Sequence, residues 1–261
     1  MSGAAARRRF VAVEARTTFH VARVEPDRRR PGGRLLLLDE RETSHVDLGD
    51  PTWLEFGYMR RIADVIDELR PREVVHLGGG ACTLARYLHA TRPGSVSEVY
   101  ERDEGVLRVA REHLGLRTHP RLRVRIGDAA RLLPRRADAS ADMVIGDAFV
   151  GLDVPEPLTT PEFTAHVRRV LRPAGVYALN VDDAAPLAVA RRHAATLLGA
   201  FAHVAVVAPR PLLRGRGGGN VVLLASETRL PIAPLRRRAA GSVDREEVLA
   251  GAAARDFAAA A

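Results

Sequence analysis

From residue 73 onward the chain keeps switching between two hydrophobic periods. The run EVVHL leads into the helical pattern TLARYLHAT, and SEVYE leads into EGVLRVAREHLGL. LRVRI and DMVIG follow, then TPEFTAHVRRVLRP, GVYALNV, APLAVARRHAATLLGAF and HVAVVA. Short apolar strands alternating with longer amphipathic helices predict a parallel sheet with helices on both faces. In the helix TPEFTAHVRRVLRP, Thr160 before Pro161 reads as the start. The last pair breaks the rule. HVAVVA and NVVLLAS are joined by a Gly/Arg-rich loop with no helix, which predicts an antiparallel hairpin at the sheet edge.

The stretch before the sheet is different in kind. FHVARVEP and GRLLLLDE flank the turn-like DRRRPGG, so a β-hairpin is expected, with a third strand near Ser44–Asp47. In DPTWLEFGYMRRIADVIDEL, Asp50 reads as an N-cap with Pro51 at the first helical position. Leu54, Tyr58, Ile62, Val65, Ile66 and Leu69 recur at helical spacing on one face. The expected organisation is a disordered terminus over 1–15, a hairpin and helix over 16–70, a sheet domain over 71–230, and an Ala/Arg-rich tail or helix over 231–261. In that tail, Asp244 with Glu247 reads as a capping box. No internal repeat is present.

Composition narrows the function classes. No apolar run approaches the ~20 residues of a membrane span, and the basic start lacks the apolar core of a secretory signal. The single cysteine, Cys82, excludes an intramolecular disulfide framework and favours the cytoplasm. Net charge is +8 and every basic residue is arginine. The triplets Arg7–Arg9, Arg28–Arg30 and Arg236–Arg238 are far apart and poor in aromatic neighbours, so they read as compositional rather than as a nucleic-acid surface. The histidines show no metal-ligand spacing, and no metal is expected. Cys82 reads as a buried small hydrophobe. His76 lies in a strand pattern and His89 late in a helix, so neither is placed as its base.

The chemistry starts at VVHLGGGACTLARYL. A strand-to-helix turn of Gly78, Gly79 and Gly80 lets a ligand approach the backbone and aims free N–H groups at it. The dinucleotide fingerprint is incomplete, since its third glycine falls on Thr83. About 20 residues on, Glu101 ends the next strand, where a carboxylate can accept from ribose hydroxyls. Asp128, after the third strand, offers an acceptor to an adenine amino group. Asp147 lies just past the fourth strand, followed by a long loop carrying Asp153, Glu156 and Glu162. Asp182 and Asp183 end the fifth strand. Together these point to a nucleoside held across the C-terminal edge of the sheet.

These segments, with VYERDEGVLRVAREHL, RIGDAARLL, DMVIGDAFVG, PLTTPEF, LRPAGVYALNV and GNVVLLAS, resemble the spermidine synthase family, the polyamine aminopropyltransferases. The similarity runs from about Phe19 to Ser226. The resemblance implies a Rossmann-like, seven-stranded class I methyltransferase sheet with an antiparallel terminal hairpin, preceded by a small N-terminal β-hairpin region. It implies a transferase that takes an adenosyl sulfonium donor, S-adenosylmethionine or its decarboxylated form, and moves an aminopropyl group to a small amine. It gives Gly78–Gly80 the amino-acid side of the donor, Glu101 the ribose, Asp128 the adenine amino group and Asp147 the reacting centre. Arg86 matches an arginine of the family's glycine motif; its alternative is a helix-surface charge.

Two positions depart from the family. The aspartate that continues its glycine motif is Ala81 here, and the second aspartate of its Asp-x-x-Asp pair is Val150. The family's glutamine-tyrosine-rich amine pocket is not recognisable around Ser44–Tyr58. Two alternatives therefore stand beside aminopropyl transfer: a methyltransferase using S-adenosylmethionine on another small acceptor, and a non-catalytic nucleoside-binding member. Neither nucleic acid nor membrane is an expected partner, and a homodimer is open.

Overall fold

The structure, a computed structural model, describes residues 10–243 and 245–260. Four strands come first, β1 (Val13–Arg16), β2 (Val21–Pro26), β3 (Gly33–Leu38) and β4 (Arg41–Asp47), then α1 (Gly57–Leu69). The alternating part opens with β5 (Glu73–Leu77), α2 (Thr83–Thr91), β6 (Val96–Glu101), α3 (Glu104–His113), β7 (Leu122–Ile126) and α4 (Ala129–Leu132). It continues with β8 (Ala141–Gly146), α5 (Pro161–Val170), β9 (Leu171–Ala184), α6 (Ala188–Ala200), β10 (His203–Pro209), α7 (Arg210–Leu213) and β11 (Gly218–Ser226). Then come α8 (Ile232–Ala240), β12 (Glu246–Ala250) and α9 (Ala252–Ala259).

The main sheet has the order β12-β10-β11-β9-β8-β5-β6-β7. β5 through β9 run parallel, and β11, β10 and β12 continue as antiparallel neighbours. The strands are apolar on both faces because both faces are covered. Met143, Ile145, Val176 and Ala178 face one way, packed with Ile62 and Ile66 of α1, Leu88 of α2 and Leu235 of α8. Val144, Tyr177 and Leu179 face the other way, packed with Val167 of α5, Ala194 of α6 and Phe257 of α9. A third cluster joins the four-stranded N-terminal sheet to α3, through Val24, Leu36 and Val46 against Val106 and Ala110.

The seven-stranded sheet with its terminal hairpin is therefore present, and β12 adds an eighth strand, antiparallel to β10. The segment expected as an Ala/Arg-rich tail or helix forms helix, strand and helix. Its capping box falls on Asp244, outside the described residues, and Glu247 lies in β12. At the other end, residues 1–9 lie outside the described residues, while β1, whose residues 13–15 fall in the stretch expected to be disordered, pairs with β2. The expected hairpin and third strand are present as β2, β3 and β4, with Arg41–Asp47 paired to β3, and β1 on the other side of β2 makes the sheet four-stranded. The helix expected from Asp50 starts at Gly57. Asp50 Oδ1 instead accepts from the Thr52 N–H at 3.0 Å and the Thr52 hydroxyl at 2.5 Å, a local turn that competes with helix.

The C-terminal segment is clamped to α1. Arg61, 5% exposed, donates from Nε to Glu246, 6% exposed, at 2.5 Å, and from a second nitrogen to the Asn220 carbonyl at 3.1 Å. Arg238 adds ion pairs to Asp64 and Glu68 on the same helix.

Candidate functional site

The three parallel strand ends of β5, β6 and β8 meet at the glycine turn. The Gly78 N–H donates to the Tyr100 carbonyl at 2.9 Å, and the Asp147 N–H donates to the Leu77 carbonyl at 2.8 Å. Gly78 has φ +94°, and a Cβ there would collide with the Asp147 backbone. Only glycine lets the end of β8 seat this closely on the turn.

The next two amides, which the sequence suggested would be free for a ligand, are taken within the protein. Gly79 and Gly80 donate to Glu101 Oε2 at 3.0 and 3.1 Å, and the Asp103 N–H donates to Oε1 at 2.8 Å. The glycine turn and the acid thus form one unit. Oε1, which accepts only one of the three N–H groups, keeps lone-pair capacity for a hydroxyl donor. Asp128 caps α4 by accepting from the Ala130 N–H at 2.8 Å and is exposed at the same edge.

Asp147 is held by side chains instead. The Tyr58 hydroxyl donates to Oδ2 at 3.0 Å, and Asn180 Nδ2 donates to Oδ1 at 2.9 Å. Burial pushes the Asp147 carboxyl above its ordinary value, against the hydrogen bonds from Asn180 and Tyr58. Burial and the Asp147 charge push the Tyr58 hydroxyl well above its own, so it stays a donor. Neither partner was singled out as functional in the sequence. Tyr58 reads there as one more apolar position of α1, and Asn180 as part of a strand.

Gly78, Gly79, Gly80, Glu101, Asp128 and Asp147 all line one cavity of about 1060 Å³ between the main sheet edge, the N-terminal sheet and the loop after β8. Ten carboxylate side chains line it against three arginines, in a chain of net charge +8. Asp153, Glu156 and Asp182 are among the ten. Glu162 is not; it lies exposed in the first turn of α5. Asp183 accepts from the Ala190 N–H at 2.8 Å at the start of α6. Val150 and Asp153 exchange backbone hydrogen bonds across a tight turn, at 2.9 and 3.2 Å. The Ala81 side chain is fully buried in the third core cluster, and its N–H donates to Ser44 Oγ at 3.2 Å.

The remaining sequence candidates have structural partners. Cys82 sits at the left-handed φ of +56°, buried, and burial pushes its thiol up to about 12. His76 is buried against Ser97 Oγ at 3.2 Å, and burial pulls it down to about 3. His89 packs edge-on against His119, with ring centroids 5.1 Å apart. Arg86 donates to the Leu114 carbonyl at 2.7 Å, tying α2 to the end of α3. Asp27, His45 and Glu55 bring potential metal-binding atoms within 4.8 Å of one another at the N-terminal sheet, a grouping sequence spacing does not announce. His45 Nε2 there lies 3.1 Å from Asp27 Oδ2.

No family model matches the chain. Among curated proteins it is 29% identical over 149 residues to a polyamine aminopropyltransferase of Chromobacterium violaceum, covering 52% of this chain and 53% of that protein. It is 31% identical over 155 residues to one of Aeropyrum pernix, covering 56% and 47%. The chain thus spans about half the length of the curated relatives it matches. A human methyltransferase-like protein 13, solved with SAH, shares the fold at TM-score 0.55 and 23% identity, over 69% of this chain and 86% of that one. A probable spermidine synthase from Corynebacterium glutamicum superposes with TM-score 0.88 at 34% identity, covering 95% of this chain and 94% of that one. With that identity over nearly the whole of both chains, the chain belongs to the spermidine synthase family.

Proposed function

We propose that the protein is an aminopropyltransferase that binds an adenosyl sulfonium donor and transfers the aminopropyl group of decarboxylated S-adenosylmethionine to a small amine in the cytoplasm. The observation that carries this reading is the charge of the cavity. Ten carboxylates against three arginines, in a protein of net charge +8, make an acidic concavity in a basic molecule. Such a site concentrates cations and disfavours anions. Both the sulfonium donor and an amine acceptor are cations, and burying either needs carboxylate partners.

The roles follow from position. Glu101, fixed by three backbone N–H groups, accepts from the ribose hydroxyls. Asp128 accepts from the adenine amino group. Gly78–Gly80 let the donor's amino-acid side lie against the backbone. Asp147 faces the reacting carbon. The sulfonium is already a good leaving group, so the protein's work is alignment and proton removal. The amine nitrogen forms a bond to the propyl carbon, the carbon–sulfur bond breaks, its electron pair returns to sulfur, and 5′-methylthioadenosine leaves. Asp147 takes the proton the amine loses. Its carboxyl, raised by burial, is a better base than an exposed aspartate. Asn180 Oδ1 is buried with no partner among the described residues, an acceptor for an amine N–H beside Asp147.

Calorimetry with S-adenosylmethionine and its decarboxylated form, followed by the mass of the product formed with putrescine, tests the reading. The expected product is spermidine with 5′-methylthioadenosine. A methylated amine would place the chain with the methyltransferase alternative, which Ala81 and Val150 favour by removing two acids that would repel a donor carboxylate. Nucleoside binding with no turnover would leave a non-catalytic member.

A further inference from the structure

Besides the Ser44 contact to Ala81, one buried carboxylate ties the N-terminal sheet to the end of the cavity that holds Glu101. Asp103, 2% exposed, lies two residues beyond Glu101 and caps α3 by accepting from the Gly105 N–H at 2.8 Å. The same carboxylate accepts from the Thr17 hydroxyl at 2.6 Å, the Thr18 N–H at 3.0 Å and the Phe19 N–H at 3.1 Å. Burial alone would raise this carboxyl; the hydrogen bonds from the β1–β2 turn outweigh it and hold it at about 2. The approach is close enough that a Cβ on Gly105 would meet Thr17 Cα at 2.5 Å. The turn is thus fixed relative to the Glu101 carboxylate, whose Oε1 accepts from the Asp103 N–H.

Fixing the turn fixes Phe19, and Phe19 carries Arg102. The Arg102 Cζ lies 4.4 Å from the Phe19 ring centroid. Arg102 has no ion pair among the described residues, lines the cavity and sits between the two acids, Glu101 and Asp103. A guanidinium backed by a ring on one face offers its other face as a flat surface. We propose that Phe19 and Arg102 form a stacking surface for the adenine base, so that the N-terminal sheet takes part in donor binding. The inference rests on the reading of the cavity as an adenosyl site. Arg102 is the binding residue, and Phe19 is a positioning residue acting through it.

The test is calorimetric titration of 5′-methylthioadenosine into the full chain, its Arg102→Ala and Phe19→Ala variants, and the double variant. Each single change is expected to weaken binding about three- to tenfold, the scale of an exposed to partly desolvated cation–π contact. The double variant is expected to lose little more than either single one, because the two act as one unit. Phe19→Tyr, which keeps the ring, restores affinity. Phe19→Leu, which keeps bulk and fold but not the ring, does not. Unchanged affinity in both single variants, multiplied losses in the double, or full affinity in Phe19→Leu overturns the proposal while leaving the adenosyl site in place. A parent chain that does not bind 5′-methylthioadenosine overturns the adenosyl site itself, and this inference with it.

Discussion

The two ends of the cavity are built by different means. At the end proposed to take the nucleoside, Glu101 is held by backbone N–H groups of Gly79, Gly80 and Asp103, and Asp128 by its own helix. At the proposed reacting end, Asp147 is held by two side chains, from Tyr58 at a sequence separation of 89 and Asn180 at a separation of 33. Backbone donors come with the fold and survive most substitutions. Side-chain donors depend on particular residues at distant positions. The nucleoside end is therefore expected to be robust and general, and the reacting end to be tunable.

The largest effect expected is at Asp147. Asp147→Asn keeps the shape and removes the proton acceptor, so turnover should fall by about 10²–10⁴, with 5′-methylthioadenosine affinity little changed. Unchanged turnover would remove Asp147 from the chemistry. The mirror experiment is Glu101→Ala. Loss of a charge-assisted hydrogen bond should weaken 5′-methylthioadenosine by about ten- to a hundredfold. Because three N–H groups lose their partner, the melting temperature should fall as well. If affinity holds while stability falls, Glu101 is a brace for the glycine turn and not a ribose ligand.

The smallest effect sharpens the comparison most. The hydrogen bonds from Asn180 and Tyr58 both favour the Asp147 carboxylate, with that from Asn180 the stronger. Removing either donor raises the carboxyl further. With Asp147 as the proposed base, the rate rises as it loses its proton, so the acid limb of the pH–rate profile should move to higher pH. The move should be larger in Asn180→Ala than in Tyr58→Phe. A limb that stays put in both variants means that another group sets it.

The same contrast explains what the sequence made legible. The alternation of β5 to β11 and the acids at the strand ends could be read directly, because a parallel sheet puts the ends of successive strands at one edge. Thr160 capping α5 is local and was legible too, its hydroxyl accepting from the Phe163 N–H at 3.1 Å. Asp50 misled because an Asx turn and an N-cap use the same residue type. Tyr58 was hidden by its own ring, which satisfies the apolar pattern of α1 while its hydroxyl serves Asp147. β12 was hidden because its apolar partners lie on β10, far back along the chain, and EEVLA alone has no strand period. The clustering of acids in one concavity of a basic protein is a property of the surface, and no window of sequence contains it.

The buried pair of Arg61 and Glu246 has a consequence for how the protein comes into being. The two residues are separated by 185 positions. A ribosome therefore delivers the guanidinium long before its counter-charge, and until then burying Arg61 would strand a cation away from water at a cost of several kcal/mol, about the penalty of an unpaired buried ion. Helix α1, which also carries Tyr58, is therefore expected to settle in its final place only after the segment 246–250 has emerged. The strands that hold Glu101 and Asp128 face no such wait, since β5, β6 and β7 pair in order of synthesis. The Glu101 end of the cavity is thus expected to take shape during translation, and the Asp147 end to be completed only after the closing strand has been made.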